Sequence, residues 1–341
     1  MLDLSRSISN SQYRYYFGLL KPEQRRCYET LLSGYMRHRE KIVVHASCIE
    51  EVWEVQRSLC YDVPELFFIK TVRADRNPVL NTVTVIPEYR FKKEVCVNIL
   101  DEMEAAASAL LQRIAMLPEY GRVKQIHDYL SRTVKYRDLQ APYSHEAPGA
   151  LIYHISVCEG IAKAFKYLAD RSGLKAVVVT GDSRDMAGEA EGGTGHAWNV
   201  IEVDSQNYHI DVTFDAGLSQ NGTLRYDYFL LSDEQIRGDH TCDESPRCGR
   251  SYEYYQECGC YVDSKRTLRE LVKARLRPKA PLVFKLPDFE PAGRAGVPEM
   301  VLGTVSQAVA VPYALCTNVS LDCNLNRMIF LAELSGPSRQ D

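Results

Sequence analysis

The stretch SVCEGIAKAFKYLADRSG, residues 156–173, decides how the rest of the chain is read. Ile161, Phe165, Leu168 and Ala169 recur at helical spacing and Gly173 stands where a helix would end, so the spacing predicts a helix. Ser156 followed three residues later by Glu159 fits a capping box, which would set Cys158 inside the first turn. Unpaired amides and the positive end of the helix dipole favour an anion there, so the position suits a thiolate, and the same amides suit the oxyanion of an acyl intermediate. On position alone, the competing reading of Cys158 is a small apolar residue packed beneath the helix.

The residues downstream shift that balance. A strand, KAVVVTGD (175–182), precedes the glycine-rich loop SRDMAGEAEGGTG (183–195). HAWNVIEV (196–203), a turn at DSQN and YHIDVTFD (208–215) then read as a β-hairpin. A two-residue turn at Asp204 and Ser205 would pair His196 with Thr213 and Trp198 with Asp211. That register makes His196 and Asp211 diagonal neighbours on one face, roughly 7 to 8 Å apart at Cα. Period two assigns Tyr208, Ile210, Val212 and Phe214 to the core and leaves His209, Thr213 and Asp215 on a solvated face. A cysteine at a helix start, with a histidine and an acid on neighbouring strands, is what thiol nucleophilic catalysis needs. The histidine takes the thiol proton, and the acid fixes the imidazole tautomer.

VCEGIAKAFKYLADRSGLKAVVVTGD, GHAWNVIEVD and YHIDVTFD, in that order, resemble the core of the bacterial transglutaminase-like superfamily of papain-like cysteine proteins. The resemblance extends to the preceding IHDYLSRTVKYR and the following YFLLSDEQIRGDH. It implies that Cys158 is the nucleophile, His196 the base and Asp211 the orienting acid, with Trp198 and Asn199 as the aromatic and amide that follow the histidine. The fold it implies is α+β: a nucleophile helix packed on an antiparallel sheet. No cofactor or metal is implied, because no acidic loop resembles a calcium site.

Around this core, residues 1–118 read as a mainly helical region with a small sheet, 119–277 as the catalytic core and 278–341 as a small α+β module. The 341 residues are 45% hydrophobic and 25% charged, a globular composition. A net charge of -4 and a pI near 6.1 give no basic field for nucleic acid. No apolar segment reads as a signal peptide or membrane span, and 11 cysteines scattered through helices and strands suit free thiols, so a cytoplasmic protein is expected. Cys242, Cys248, Cys258 and Cys260 lack paired zinc knuckles and read as ordinary or redox-sensitive thiols rather than a zinc site. The expected function is a cysteine enzyme acting on protein or peptide amide bonds through a Cys158 thioester, most readily a peptidase or deamidase. A crosslinking acyltransferase, a non-catalytic protein-binding module on the same fold, and a thiol-based redox or metal protein are the alternatives.

Overall fold

The structure is a computed structural model that describes Leu4 and residues 12–184, 194–219, 222–287, 293–309 and 318–335. Residues 185–193 of the expected glycine-rich loop therefore lie outside the described residues. The chain is α+β, and it divides into two compact units, Met1–Leu218 with Leu231–Ser251 and Ser219–Leu230 with Tyr252–Asp341. Among the described residues, no helix is long and apolar enough to cross a membrane.

The first unit begins with α1 (Tyr15–Leu19), α2 (Pro22–Met36), β1 (Ile42–His45), α3 (Ile49–Asp62), the hairpin β2 (Ile69–Asn77) and β3 (Thr82–Tyr89), α4 (Lys93–Ile114) and α5 (Glu119–Thr133). Pro22 opens α2 and Pro118 precedes α5, places where a fixed φ and a missing N–H cost a helix nothing. Strand β3 lies between β1 and β2. The chain continues through β4 (Lys135–Tyr136), α6 (Ala147–Leu151), β5 (Ile155–Ser156), α7 (Cys158–Arg171), β6 (Ala176–Ser183), β7 (Thr194–Val203), β8 (Gln206–Ile210) and α8 (Val212–Leu218). After β9 (Phe229–Leu231) come α9 (Asp233–Ile236) and β10 (His240–Cys242). The central sheet runs β10, β6, β7, β8 with each neighbour antiparallel, and α7 packs against β6 and β7.

Helix α7 departs from the expected one-sided pattern, since every residue from Gly160 to Asp170 is buried. Its apolar side chains, Phe165 and Leu168 among them, each contribute about 1.5–3 kcal/mol by leaving water. Its charges are buried in pairs. Lys163 Nζ meets Glu146 at 2.8 Å and Glu159 at 2.9 Å, and Lys166 Nζ meets Asp170 at 2.9 Å. A lone buried ammonium would cost several kcal/mol, so these carboxylates are what let lysines occupy the inward faces. The helix ends in a Schellman motif, with Leu174 N–H donating to Ala169 O at 2.9 Å and Gly173 N–H to Asp170 O at 3.2 Å.

In the second unit, α10 (Tyr254–Glu257) and α11 (Lys265–Arg275) lead to β11 (Leu282–Lys285), α12 (Val297–Val309), β12 (Asn318–Asn324) and β13 (Ile329–Ser335). Strand β13 lies between the other two, and Leu268, Val272, Phe284, Val301, Val305 and Phe330 form the core. The buried Arg225 guanidinium forks onto both Asp227 oxygens at 3.0 and 2.7 Å, and Asp227 also accepts from Tyr255 and Asn324. That network ties segment 219–230 to the C-terminal strands. In the SYEYYQ stretch, Tyr255 is buried and Tyr254 stacks on Tyr226.

Candidate active site

Cys158 is the first residue of α7, so the helix begins one residue later than a capping box on Ser156 would have it. The N-cap is Val157, and no side chain caps the helix. Ser156 is instead held extended by the parallel β4–β5 pairing, Tyr136 opposite Ser156, and its hydroxyl donates to Ser144 O at 2.8 Å. Glu159 is engaged by Lys163 and by His145 at 3.3 Å. Long-range pairing has thus overridden the local capping signal. Gly160 is required here, because a Cβ would fall on Ser156 Oγ and within 3.0 Å of the Ser144 and Glu146 carbonyls. The first-turn amides of α7 have no partners inside the helix.

The β7–β8 register is the expected one: Val203 pairs with Gln206 across the turn at Asp204 and Ser205, both at positive φ. The second strand, however, stops at Ile210. Asp211 accepts a hydrogen bond from Phe214 N–H at 3.0 Å through Oδ1, so it caps α8, and residues 212–215 become helical rather than extended. His209 and Asp215 are correspondingly buried, not solvated as the alternation predicted. His209 Nδ1 accepts from Trp198 Nε1 at 3.1 Å and its Nε2 meets Asp233 at 3.0 Å. Asp215 meets His127 Nε2 at 3.0 Å, while His127 Nδ1 lies 3.2 Å from Asp128. Thr213 is partly exposed.

The same cap leaves Asp211 Oδ2 free for imidazole. His196 Nε2 approaches it at 2.6 Å, and the buried His240 reaches the same oxygen through Nε2 at 3.1 Å. His240 Nδ1 in turn meets Asp239 at 2.7 Å. Cys158 interacts with His196 closely enough to raise its pKa, and with Nε2 committed to Asp211 the nitrogen left for the thiol is Nδ1. The structure thus sets His196, Asp211 and His240 in one row, with Cys158 beside His196. Burial alone would lower the His196 pKa, but the Asp211 charge and the bonds from Asp211 and Cys158 outweigh it and push it up to about 10. For Asp211 burial pulls the other way, yet its two histidines hold the carboxyl well below the usual range. His240 is raised against burial by its hydrogen bonds to Asp211 and Asp239.

Trp198, 1% exposed, stacks near-parallel on His196 with centroids 5.8 Å apart, and Phe214 closes another side at 5.1 Å. Asn199 faces away from the site and clamps it, donating to Ala162 O at 3.0 Å and Val177 O at 3.2 Å, one carbonyl on α7 and one on β6. Three neighbours had no motif to announce them: His240, Asp239 and Tyr136. Tyr136 is 60% exposed and lies beside Cys158; burial first, then the electrostatic interaction with Cys158, raises its pKa. IRGDH carried the acid and histidine of the extended row in plain view, but only the β10–β6 pairing brings them to Asp211.

Among the described residues, two groups of side chains hold ligand-type atoms within 4.8 Å, His196 with Asp211 and His240, and His209 with Asp233 and Cys248. Hydrogen bonds account for both. The first is the row itself; in the second, Trp198 donating to Nδ1 places the His209 proton on Nε2, directed at Asp233. The ten described cysteines are free thiols.

Residues 108–212 match the Transglutaminase-like superfamily. No curated protein matches the chain at a significant level. Among solved structures, a candidate cysteine protease from Cytophaga hutchinsonii is similar at 11% identity and TM-score 0.29, over 46% of this chain and 64% of that one. A TGase is similar at 15% identity and TM-score 0.30, over 60% of each chain. This chain therefore spans under two thirds of either structure. The matched region is the one that carries Cys158, His196 and Asp211.

Proposed function

We propose that the chain is a transglutaminase-like cysteine enzyme that opens protein or peptide amide bonds through a thioester on Cys158 and resolves it with water, as a peptidase or deamidase. The observation that carries this reading is His196 Nε2 fixed on the Asp211 carboxylate at 2.6 Å, with Cys158 beside the imidazole and close enough to shift its pKa. His196 takes the thiol proton, and sulfur attacks the amide carbonyl carbon. The oxyanion is received by the Cys158 N–H at the start of α7 and by the Tyr136 hydroxyl. His196 then passes its proton to the leaving nitrogen as the C–N bond breaks. Water adds to the thioester with His196 as base, and the C–S bond breaks to release the acid and the thiol.

The test is incubation of a denatured, glutamine-containing protein with wild type and Cys158→Ala, read by peptide mass spectrometry and ammonia release. Backbone cleavage or deamidation in wild type alone supports the proposal. Isopeptide bonds formed with an added alkylamine would move it to acyl transfer, and no Cys158-dependent product would favour a binding module.

A further inference from the structure

The cysteines that crowd residues 242–260 of the sequence separate in the fold. Cys242 lies on β10 and Cys248 packs against Val177, Val179, Trp198 and Val200 in the first unit, whereas Cys258 and Cys260 belong to the second. Cys258 is the C-cap of α10, Gly259 follows at φ +66°, and Cys260 N–H then donates to Tyr255 O at 2.7 Å. Within this turn Cys258 Sγ lies 3.6 Å from Tyr255 O and Cys260 Sγ 3.8 Å from Cys258 O, so the two side chains are close enough to shift each other's pKa. Arg275, the last residue of α11, reaches over the turn and donates through Nη1 to Cys258 O at 2.9 Å and to Cys260 Sγ at 3.0 Å. A Cβ at residue 259 would stand 3.1 Å from Arg275 Nη2, so both the left-handed backbone and the approach of the guanidinium call for glycine.

A guanidinium has donors only, so the sulfur it touches must accept. A cation set on a sulfur favours its thiolate. The interaction with the Cys258 side chain, then the Arg275 charge, hold Cys260 down at about 6 against burial, while the same interaction together with burial pushes Cys258 up. Cys260 is 8% exposed, while Cys258 beside it is partly exposed and Arg275 exposed.

We propose that Cys258 and Cys260 form a redox-active dithiol which hydroperoxides oxidise reversibly to a disulfide, Cys260 attacking, Cys258 resolving and Arg275 holding the thiolate. The Cys260 thiolate attacks the distal peroxide oxygen; an S–O bond forms, the O–O bond breaks, and the alkoxide or hydroxide leaving group takes a proton from water. Cys258 sulfur then attacks the Cys260 sulfenic acid, an S–S bond forms, the S–O bond breaks, and hydroxide leaves with the Cys258 proton as water. A thiol reductant returns both thiols by exchange.

The test uses the full chain in a Cys158→Ser background, so that the other partnered thiol does not compete. After brief exposure to dilute hydrogen peroxide and quenching with an alkylating agent, the peptide carrying both cysteines should have lost two hydrogens before Cys27 or Cys96 reacts, and dithiothreitol should restore it. Cys258→Ser should stop at a sulfenic acid that dimedone traps on Cys260. Arg275→Gln should slow oxidation about tenfold, while Arg275→Lys, which keeps the charge, should retain most of the rate. The proposal is overturned if the pair stays reduced while other thiols oxidise, if Cys258→Ser gives no dimedone adduct, or if both Arg275 variants react alike.

Discussion

Two sulfurs in this molecule accept help from a cation, and they receive it in different ways. Cys158 begins a helix buried on all sides and faces His196, which is fixed by Asp211 and backed by His240 and Asp239. Cys260 lies in a three-residue turn at the edge of a small unit and faces Arg275, with a second cysteine beside it. Imidazole can surrender and regain a proton, so the first arrangement suits a cycle of acyl transfer. Guanidinium stays charged throughout, so the second stabilises a thiolate without relaying protons, and the neighbouring thiol makes oxidation the chemistry that closes on itself. What separates a nucleophile from a redox pair here is the partner's ability to titrate.

The comparison breaks most sharply at His196. His196→Ala should cost about 10²–10⁴ in Cys158-dependent turnover while leaving oxidation of the Cys258–Cys260 pair unchanged; turnover counts on one protein preparation and peptide mapping on the other check both halves. Asp211→Asn should cost up to about 10⁴, since an amide cannot stabilise imidazolium and offers its carbonyl or its NH₂, not two acceptors. Asp211→Ala should in addition remove the α8 cap, for about 1 kcal/mol, and leave two histidines without their acceptor, measured as a lower urea midpoint.

Smaller effects sharpen the picture. Asn199→Ala strands two buried carbonyls, so a loss of about 1–3 kcal/mol in stability is expected with little change in Cys158 labelling after refolding into native buffer. The His196 pKa is raised on folding, so its pairing contributes stability that is fully present below the unfolded value of about 6.5 and lost as pH rises through about 10. Urea melts between these limits should show that decline in wild type and a flatter profile in Asp211→Asn. Tyr136→Phe should lower turnover about tenfold with Cys158 labelling retained, the signature of a lost oxyanion donor rather than a lost base.

Much of the site could be read from residues alone because it rests on short-range rules. The start of α7 follows from SVCEG, and the β7–β8 register follows from a turn at Asp204 and Ser205, which by parity places His196 and Asp211 together. What failed did so where distant chain intervened. Ser156 is claimed by Ser144 and by β4, so its capping signal is spent elsewhere. YHIDVTFD alternates like a strand, but Asp211 is a better helix cap than a strand residue, and α5 supplies His127 to bury Asp215. His240 had no local signature, because its role exists only once β10 pairs with β6.

The central claim is that His196 activates Cys158, and the most direct measurement is the rate of iodoacetamide labelling at Cys158 near neutral pH, resolved peptide by peptide, in wild type and His196→Ala. The account predicts that Cys158 outpaces the buried thiols Cys27, Cys96 and Cys248 in wild type and falls by at least about tenfold in the variant. Equal labelling of Cys158 in the two proteins would contradict it.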